Sequence, residues 1–295
     1  MSRRFNRLVS FGSAVVDVTT YIPHLPERGG DVLSTDSLVA LGGAFNCESA
    51  AHRLGLPTVH HGSTGTGRNS ALMLEALALE GIPFAGHTYE DTDLGFCVTM
   101  VEPDGQRTFV TTTGAEARLD LDHLSKVQLG PTDALYISGY DLVYPDAHLA
   151  LTEWLKGDHL NGAALFFDPA ALVADVNPEA LEIIRHEGFL IACNEYEFDY
   201  IKPRATDRAL FARRIGPGGC ELYEAGELKM TVPVEPVKAV DSTGAGDVHL
   251  GAMIAFIAEG HSWKDAISLA NRAAAYSVQV RGGASGPTRE QLGLS

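Results

Sequence analysis

The seven residues Asp241-Ser242-Thr243-Gly244-Ala245-Gly246-Asp247 combine small side chains with two carboxylates, and the stretch after them, 248–259, is apolar and small enough for a buried helix. A loop of this kind at the start of a helix lets main-chain N–H groups approach an anion closely, and the helix N-terminus adds the positive end of its dipole. Donors so arranged stabilise charge on a transferring phosphoryl group, as an oxyanion hole does. Asp247 falls in the first turn of that helix, where its carboxylate can take the proton of an attacking hydroxyl as a general base. An isolated Gly-x-Gly-Asp is more often a helix start capped by Asp. The complete string weighs toward chemistry.

The elements that must position this loop can be read from apolar patterning. Runs at 8–11, 134–137, 165–167 and 189–192 are apolar and end in polar or Gly/Pro breaks, as buried strands of a parallel sheet do. Helical spacing of apolar residues occupies 46–54, 70–80, 148–155 and 178–186. Alternation of the two predicts an α/β fold, a doubly wound, mainly parallel sheet. At 295 residues the chain is read as one domain, 1–295, around one main core. Two regions break the rhythm, 15–41 and 95–113, the second a hairpin turning at Pro103-Asp104-Gly105. Both read as antiparallel strands detached from the main sheet, suited to a small β lid over a cleft or to a subunit contact through an exposed edge.

The loop 241–247 together with Val248-His249-Leu250-Gly251-Ala252-Met253-Ile254 resembles the C-terminal signature of the ribokinase-like (PfkB) carbohydrate kinases. The resemblance implies Asp247 as catalytic base, Gly244, Ala245 and Gly246 as anion hole, and carbonyls of Asp241 and Thr243 as donors to the monovalent cation, K⁺, that many members hold; Thr243 also falls on the nucleotide side. Gly12-Ser13-Ala14 with Asp17, and Gly42-Gly43-Ala44-Phe45-Asn46, resemble the N-terminal half of the family and imply a sugar site lined by Asp17, Gly42, Gly43 and Asn46. A carboxylate and an amide offer acceptors and donors to vicinal hydroxyls, and paired glycines let the backbone come close. Asn194-Glu195-Tyr196-Glu197 matches the family's N-x-x-E, which implies Asn194 and Glu197 at the Mg²⁺ and phosphate end, acting through water. Gly216 and Gly219 stand in the place of the T-x-G-x-x-G nucleotide loop, where Arg214 replaces the usual threonine. Asn271, with Gly283 in the loop beyond, resembles the adenine-side helix and loop. Arg107 on the second lid strand can reach a substrate phosphate or carboxylate, although exposed strand arginines are usually only solvated. Asp168, after another strand, either touches substrate or metal or caps the strand end.

The likeness extends over roughly 8–291 and includes Glu102-Pro103-Asp104-Gly105 through Phe109 and Ser138-Gly139-Tyr140, which resemble an uncharacterised sugar-kinase branch. It has departures. The spacing from the glycine pair to Asn46 is short, Glu48 stands where a small residue is usual, no Lys follows the glycines, and the interval 198–213 is short. Ribose specificity is therefore not implied. What is implied is an ATP- and Mg²⁺-dependent phosphotransferase acting on a hydroxyl of a sugar or sugar-like molecule. A nucleoside kinase is the alternative within enzymes, and a non-catalytic nucleotide- or sugar-binding regulator the alternative outside them.

Charge excludes other classes. With 22 Lys and Arg against 38 Asp and Glu, the formal charge of -16 repels a nucleic-acid backbone. Cys47, Cys97, Cys193 and Cys220 are widely separated and form no zinc or disulfide pattern. No run of 18 apolar residues occurs, so a cytoplasmic protein that does not span a membrane is expected. The glycine-rich run 62–67 lacks the Lys-Ser/Thr ending of a Walker loop, and Thr243 interrupts what would be an aspartic protease triplet. A homodimer through the lid is the expected assembly.

Overall fold

Apolar strands alternating with helices make up most of residues 4–294, which the computed structural model describes. The first half runs β1 (Arg7–Ser10), β2 (Ala14–Tyr21), β3 (Asp36–Gly43), α1 (Ala44–Arg53), β4 (Thr58–His60), α2 (Arg68–Glu80), β5 (Phe96–Val101), β6 (Arg107–Thr112), α3 (Leu121–Leu124) and β7 (Asp133–Ser138). It continues with α4 (Ala147–Lys156), β8 (Ala164–Asp168), α5 (Pro178–Glu187), β9 (Gly188–Asn194), α6 (Glu195–Ile201), β10 (Leu210–Arg214), β11 (Cys220–Glu224), β12 (Glu227–Val232), α7 (Ala245–Ala258) and α8 (Trp263–Ser277).

The main sheet has eight strands in the order β12-β11-β10-β9-β8-β7-β1-β4. Pairing from β4 through β10 is parallel, and β11 and β12 close the β10 edge antiparallel. Because side chains alternate along a strand, the central strands feed two cores. Leu8, Tyr136, Phe166 and Leu190 pack with α1, α7 and α8 on one face, while Val9, Leu135, Ile137, Phe167 and Ile191 pack with α4 and α5 on the other. The α7 helix is apolar on all sides and buried from Val248 to Ala258, as a helix in the middle of a core should be. All four cysteines are buried free thiols. No helix among the described residues is long and apolar enough to cross a membrane.

The two segments expected to break the α/β rhythm form a second sheet of four strands, β3-β2-β5-β6. Its hairpins β2–β3 and β5–β6 are antiparallel, as the sequence suggested, but β2 and β5 join them in parallel, Val16 opposite Phe96 and Tyr21 opposite Val101. The reason is the connection: α1, β4 and α2 intervene between the hairpins, so the chain re-enters the sheet from the same end. A third cluster, in which Val16 and Leu41 meet Phe45, Met73 and Leu77, anchors the inner face of this sheet.

Candidate active site

Parallel register brings three strand ends together. Asp168 ends β8, Asn194 ends β9 and Arg214 ends β10, with Arg214 directly opposite Asn194. In open α/β sheets, ligands bind beyond these carboxyl ends. The Asn194 side chain caps α6 by accepting from the Glu197 N–H at 2.9 Å, and the Glu197 carboxylate returns to the Asn194 N–H and Nδ2, both at 2.7 Å. The N-x-x-E motif is thus a complete capping box. Asp168 accepts from the Ala170 N–H at 3.0 Å and from Arg214 Nη1 at 2.8 Å, so it both caps its strand and faces the site. Arg214 Nη1 also donates to the Gly246 carbonyl at 3.0 Å, and its Nη2 lies 3.5 Å from Glu197.

Gly246 and Asp247 belong to the first turn of α7, which Gly244 opens with φ 71°. The N–H groups of Gly244, Gly246 and Asp247 have no acceptor among the described residues, whereas Ala245 donates to the Ser242 carbonyl at 3.3 Å. Asp247 Oδ2 accepts from Asn46 Nδ2 at 3.1 Å, and Asn46 Oδ1 is held by the Ala284 N–H at 2.6 Å, which fixes the amide orientation. Burial, with Asp168 nearby, pushes the Asp247 carboxyl up to about 7 against the pull of Asn46 and Arg214. Burial and Asp168 likewise push Glu197 up to about 7.

The lid supplies the opposite wall. A Cβ on Gly42 would sit 1.9 Å from Asp17 Oδ2, so the glycine leaves the space that the Asp17 carboxylate occupies. Asp17 accepts no hydrogen bond among the described residues, and burial raises it to about 6. Gly43 precedes α1 with φ 63°. Tyr140 lies between the two halves of the site: burial, then Asp247, then more weakly Asp168 and Asp17, push its hydroxyl up to about 12. Arg107 Nη1 reaches Thr243 Oγ1 at 3.4 Å, so the lid arginine touches the loop that opens α7. Asp241 on the same loop accepts from the N–H groups of Thr243 (2.9 Å) and Gly282 (3.0 Å) and from the Tyr21 hydroxyl (3.3 Å). Burial raises this carboxyl, but these donors outweigh it and hold Asp241 below the usual range.

Toward the other edge, Gly216 and Gly219 frame a short turn between β10 and β11, with φ 54° and 96°. Asn271 on α8 lines a cavity of about 180 Å³ with Pro233, Val234, Glu235, Ser268 and Arg272. Its own side chain is engaged, Oδ1 with His249 Nε2 at 3.0 Å and Nδ2 with the Val232 carbonyl at 2.9 Å. Gly283 packs against Asn46 Oδ1. Among the described residues no three His, Cys, Asp or Glu side chains converge as a ready metal centre.

A family model described as pfkB family carbohydrate kinase matches residues 6–290. The chain belongs to this family. An Escherichia coli (strain K12) relative described as uncharacterized sugar kinase YegV is 31% identical over 303 residues, covering 96% of this chain and 92% of the relative. A Mus musculus ribokinase is 27% identical over 312 residues, covering 98% and 94%. The solved structure of Arabidopsis thaliana ribokinase complexed with ribose and ATP matches with a TM-score of 0.74 at 22% identity, over 99% of this chain and 98% of that one. The pfkB chain is accordingly an enzyme, a sugar or nucleoside kinase.

Sequence reasoning missed three features of this pfkB site. Arg214 was visible only as a departure from a loop motif, and the β9–β10 register alone reveals it as a largely buried cation facing Asp168 and Glu197. Glu48, out of place in the motif, pairs with His60 Nδ1 at 2.8 Å, both fully buried. Asp141 accepts from the Ser13 N–H (2.9 Å) and the Ser138 N–H (3.0 Å), tying the first loop to the end of β7. No spacing signal connects either pair.

Proposed function

We propose that this pfkB kinase transfers the γ-phosphoryl group of ATP to a hydroxyl of a sugar or sugar-like small molecule, with Asp247 as general base and the main-chain N–H groups at Gly244 to Gly246 as anion hole. One observation carries the reading: a carboxylate held by Asn46 stands in the first turn of a helix whose opening N–H groups at Gly244, Gly246 and Asp247 lack acceptors among the described residues. Since the Ala245 N–H is turned to Ser242, the hole rests on the N–H groups of Gly244, Gly246 and Asp247. Asp17 supports the substrate side. A largely buried carboxylate with no donor is costly, and a substrate hydroxyl would supply the missing hydrogen bond. Gly42, Gly43 and Asn46 complete that wall, and Arg107 extends it to an anionic substituent.

The residues present fit the groups this reaction needs. The cavity beside Asn271 mixes apolar Pro233 and Val234 with polar side chains, a lining suited to a heterocyclic base, and the turn at Gly216 and Gly219 borders the strand that carries Arg214. Both oxygens of Glu197 accept from Asn194, so this pair would meet a hydrated Mg²⁺ only through water. Magnesium, when bound, would neutralise charge on the polyphosphate. The carbonyls of Asp241 and Thr243 accept no hydrogen bond among the described residues and fit a K⁺ donor set. Asp247 would take the hydroxyl proton as the oxygen attacks phosphorus, Asn46 would fix the carboxylate, and the lid would exclude water.

The test is a phosphorylation panel of sugars and nucleosides with Asp247→Asn alongside. Turnover of a sugar that vanishes in the variant is expected; turnover of nucleosides alone would replace the substrate class, and no turnover of any panel member with intact ATP binding would favour a binding protein.

A further inference from the structure

Arg214 has no place in the reading so far, yet its guanidinium contacts Asp168, Glu197 and the Gly246 carbonyl at once. Its side chain is 13% exposed, and the Asp168 and Glu197 side chains it faces are 7% and 4% exposed. Asp168 and Glu197 pair with Arg214, and Asp247 feels the charge of all three, so three carboxylates stand near one guanidinium. A polyphosphate brought to the carboxyl ends of β8 and β9 would be repelled by that cluster unless a cation cancels part of it.

The second contact is geometric. A Cβ on Gly246 would lie 3.1 Å from Arg214 Cζ and 3.2 Å from Nη1, so the absent side chain is the space that the guanidinium fills. From there Nη1 holds the Gly246 carbonyl at 3.0 Å. That carbonyl and the Asp247 N–H belong to one planar trans peptide and point in opposite directions. Gripping the carbonyl therefore holds that peptide plane, and with it the direction of the Asp247 N–H, which has no acceptor among the described residues.

We propose that Arg214 is a positioning residue for phosphoryl transfer: its grip on the Gly246 carbonyl aims the Asp247 N–H at the transferring group, and its charge cancels Asp168 and Glu197 so that a polyphosphate can approach. The proposal rests on the reading of the α7 N-terminus as the transfer site. Glycine at 246 then serves the arginine as much as the anion.

The experiment compares wild type, Arg214→Lys, Arg214→Met, Arg214→Met/Asp168→Asn and Asp247→Asn as full-length proteins. Thermal melts, ADP affinity by calorimetry, and kcat and KM for ATP are read on each. Arg214→Met is expected to weaken ADP binding about tenfold or more and to cut kcat by about a hundredfold. In the double variant the net charge of the cluster returns to its wild-type value. Its ADP affinity should recover to within about threefold while kcat stays depressed, because the Gly246 carbonyl still lacks the guanidinium contact that steadies its peptide. Arg214→Lys keeps the charge without the fork, so its affinity should hold while kcat falls. If Arg214→Met does not fold, the lysine and double variants still carry the test. A double variant that recovers kcat together with affinity overturns the carbonyl grip, and one that recovers neither overturns the charge role. Folded Arg214 variants with wild-type kcat and KM, beside an inactive Asp247→Asn, overturn the proposal alone; an active Asp247→Asn overturns the reading of the site beneath it.

Discussion

Replacing Asp247 by Asn should abolish turnover and at the same time make the protein more stable at alkaline pH. The amide preserves shape, and because Asn46 Oδ1 is fixed by the Ala284 N–H, Asn46 Nδ2 still donates to the new side-chain oxygen. What disappears is the proton acceptor, a loss of about 10²–10⁴ in rate, or about 3–5 kcal/mol of transition-state stabilisation. The stability gain follows from the carboxyl's environment. Burial and Asp168 hold its folded pKa near 7, against 3.8 for the free group. Below pH 3.8 the carboxyl is protonated in both states and costs nothing; between 3.8 and 7 only the unfolded chain releases the proton freely; above 7 the full penalty stands. About three units at 1.36 kcal/mol each set a ceiling near 4 kcal/mol, and partial exposure reduces the expected gain to about 1–2 kcal/mol. Differential scanning calorimetry at pH 8 and pH 4 should thus show a higher Tm for the variant at pH 8 and nearly equal values at pH 4. The wild-type kcat/KM should rise with pH through about 7 as Asp247 ionises. A variant with more than half the wild-type kcat would refute the base, and equal melting at pH 8 would refute the electrostatics.

Three further outcomes are expected. Asp17→Ala should raise the substrate KM by about 5- to 150-fold, the worth of about 1–3 kcal/mol for an unpaired polar contact, with kcat much less affected; an unchanged KM leaves Asp17 outside the sugar site. EDTA should abolish activity, and K⁺ should give faster turnover than Na⁺ or choline if the Asp241 and Thr243 carbonyls hold a cation; equal rates in all three remove that site. Light scattering should find a dimer at assay concentration, because Val39 and Val110, 54% and 55% exposed, lie on one face of the lid sheet in line with Val18 and Val98, an apolar strip that suits a partner surface; a monomer would refute the lid interface.

How far the sequence reached depends on whether a feature is local. The loop 241–247 ahead of a helix, the N-x-x-E segment behind a strand and the Pro103-Asp104-Gly105 hairpin are written in contiguous residues, and each lies in the local element expected, although N-x-x-E, expected at a magnesium site, forms a helix capping box. The strands at 134–137, 165–167 and 189–192 were legible because both their faces are buried, which leaves an uninterrupted apolar run. Features made by register were not legible. The approach of Arg214 to Asp168 spans 46 positions, and its place opposite Asn194 is a property of β9–β10 pairing rather than of either strand. The parallel β2–β5 junction depends likewise on where an intervening α/β unit returns the chain. Asn271 was read from a motif as a base neighbour; it lines the cavity, but its side-chain bonds to His249 and Val232 give it a packing task that no spacing announces.

An acidic chain that must hold a polyanion has to separate long-range repulsion from short-range attraction. The net charge of -16 acts at a distance, yet at physiological salt its reach is cut to about 8 Å, so what decides binding is the charge within the cleft. There three arginines are tied to the loop 241–247 and the start of α7, the elements of the proposed anion hole. Arg214 holds Gly246 from the sheet side. Arg107 reaches Thr243 from the lid. Arg281 stacks over Tyr21 at 4.8 Å and pairs with Asp36, and the Tyr21 hydroxyl in turn donates to Asp241. Each cation thereby contacts the loop 241–247 or a residue that contacts it, Arg214 from a largely buried position and Arg107 and Arg281 from exposed ones. A lid strand that moved away would break the contacts of Arg107 and Tyr21 to that loop together. On the proposed reading, lid position and the arrangement of phosphate-binding donors are therefore one mechanical unit: charge complementarity for the nucleotide would be completed when the lid stands over the substrate site, which would tie phosphoryl transfer to an occupied site.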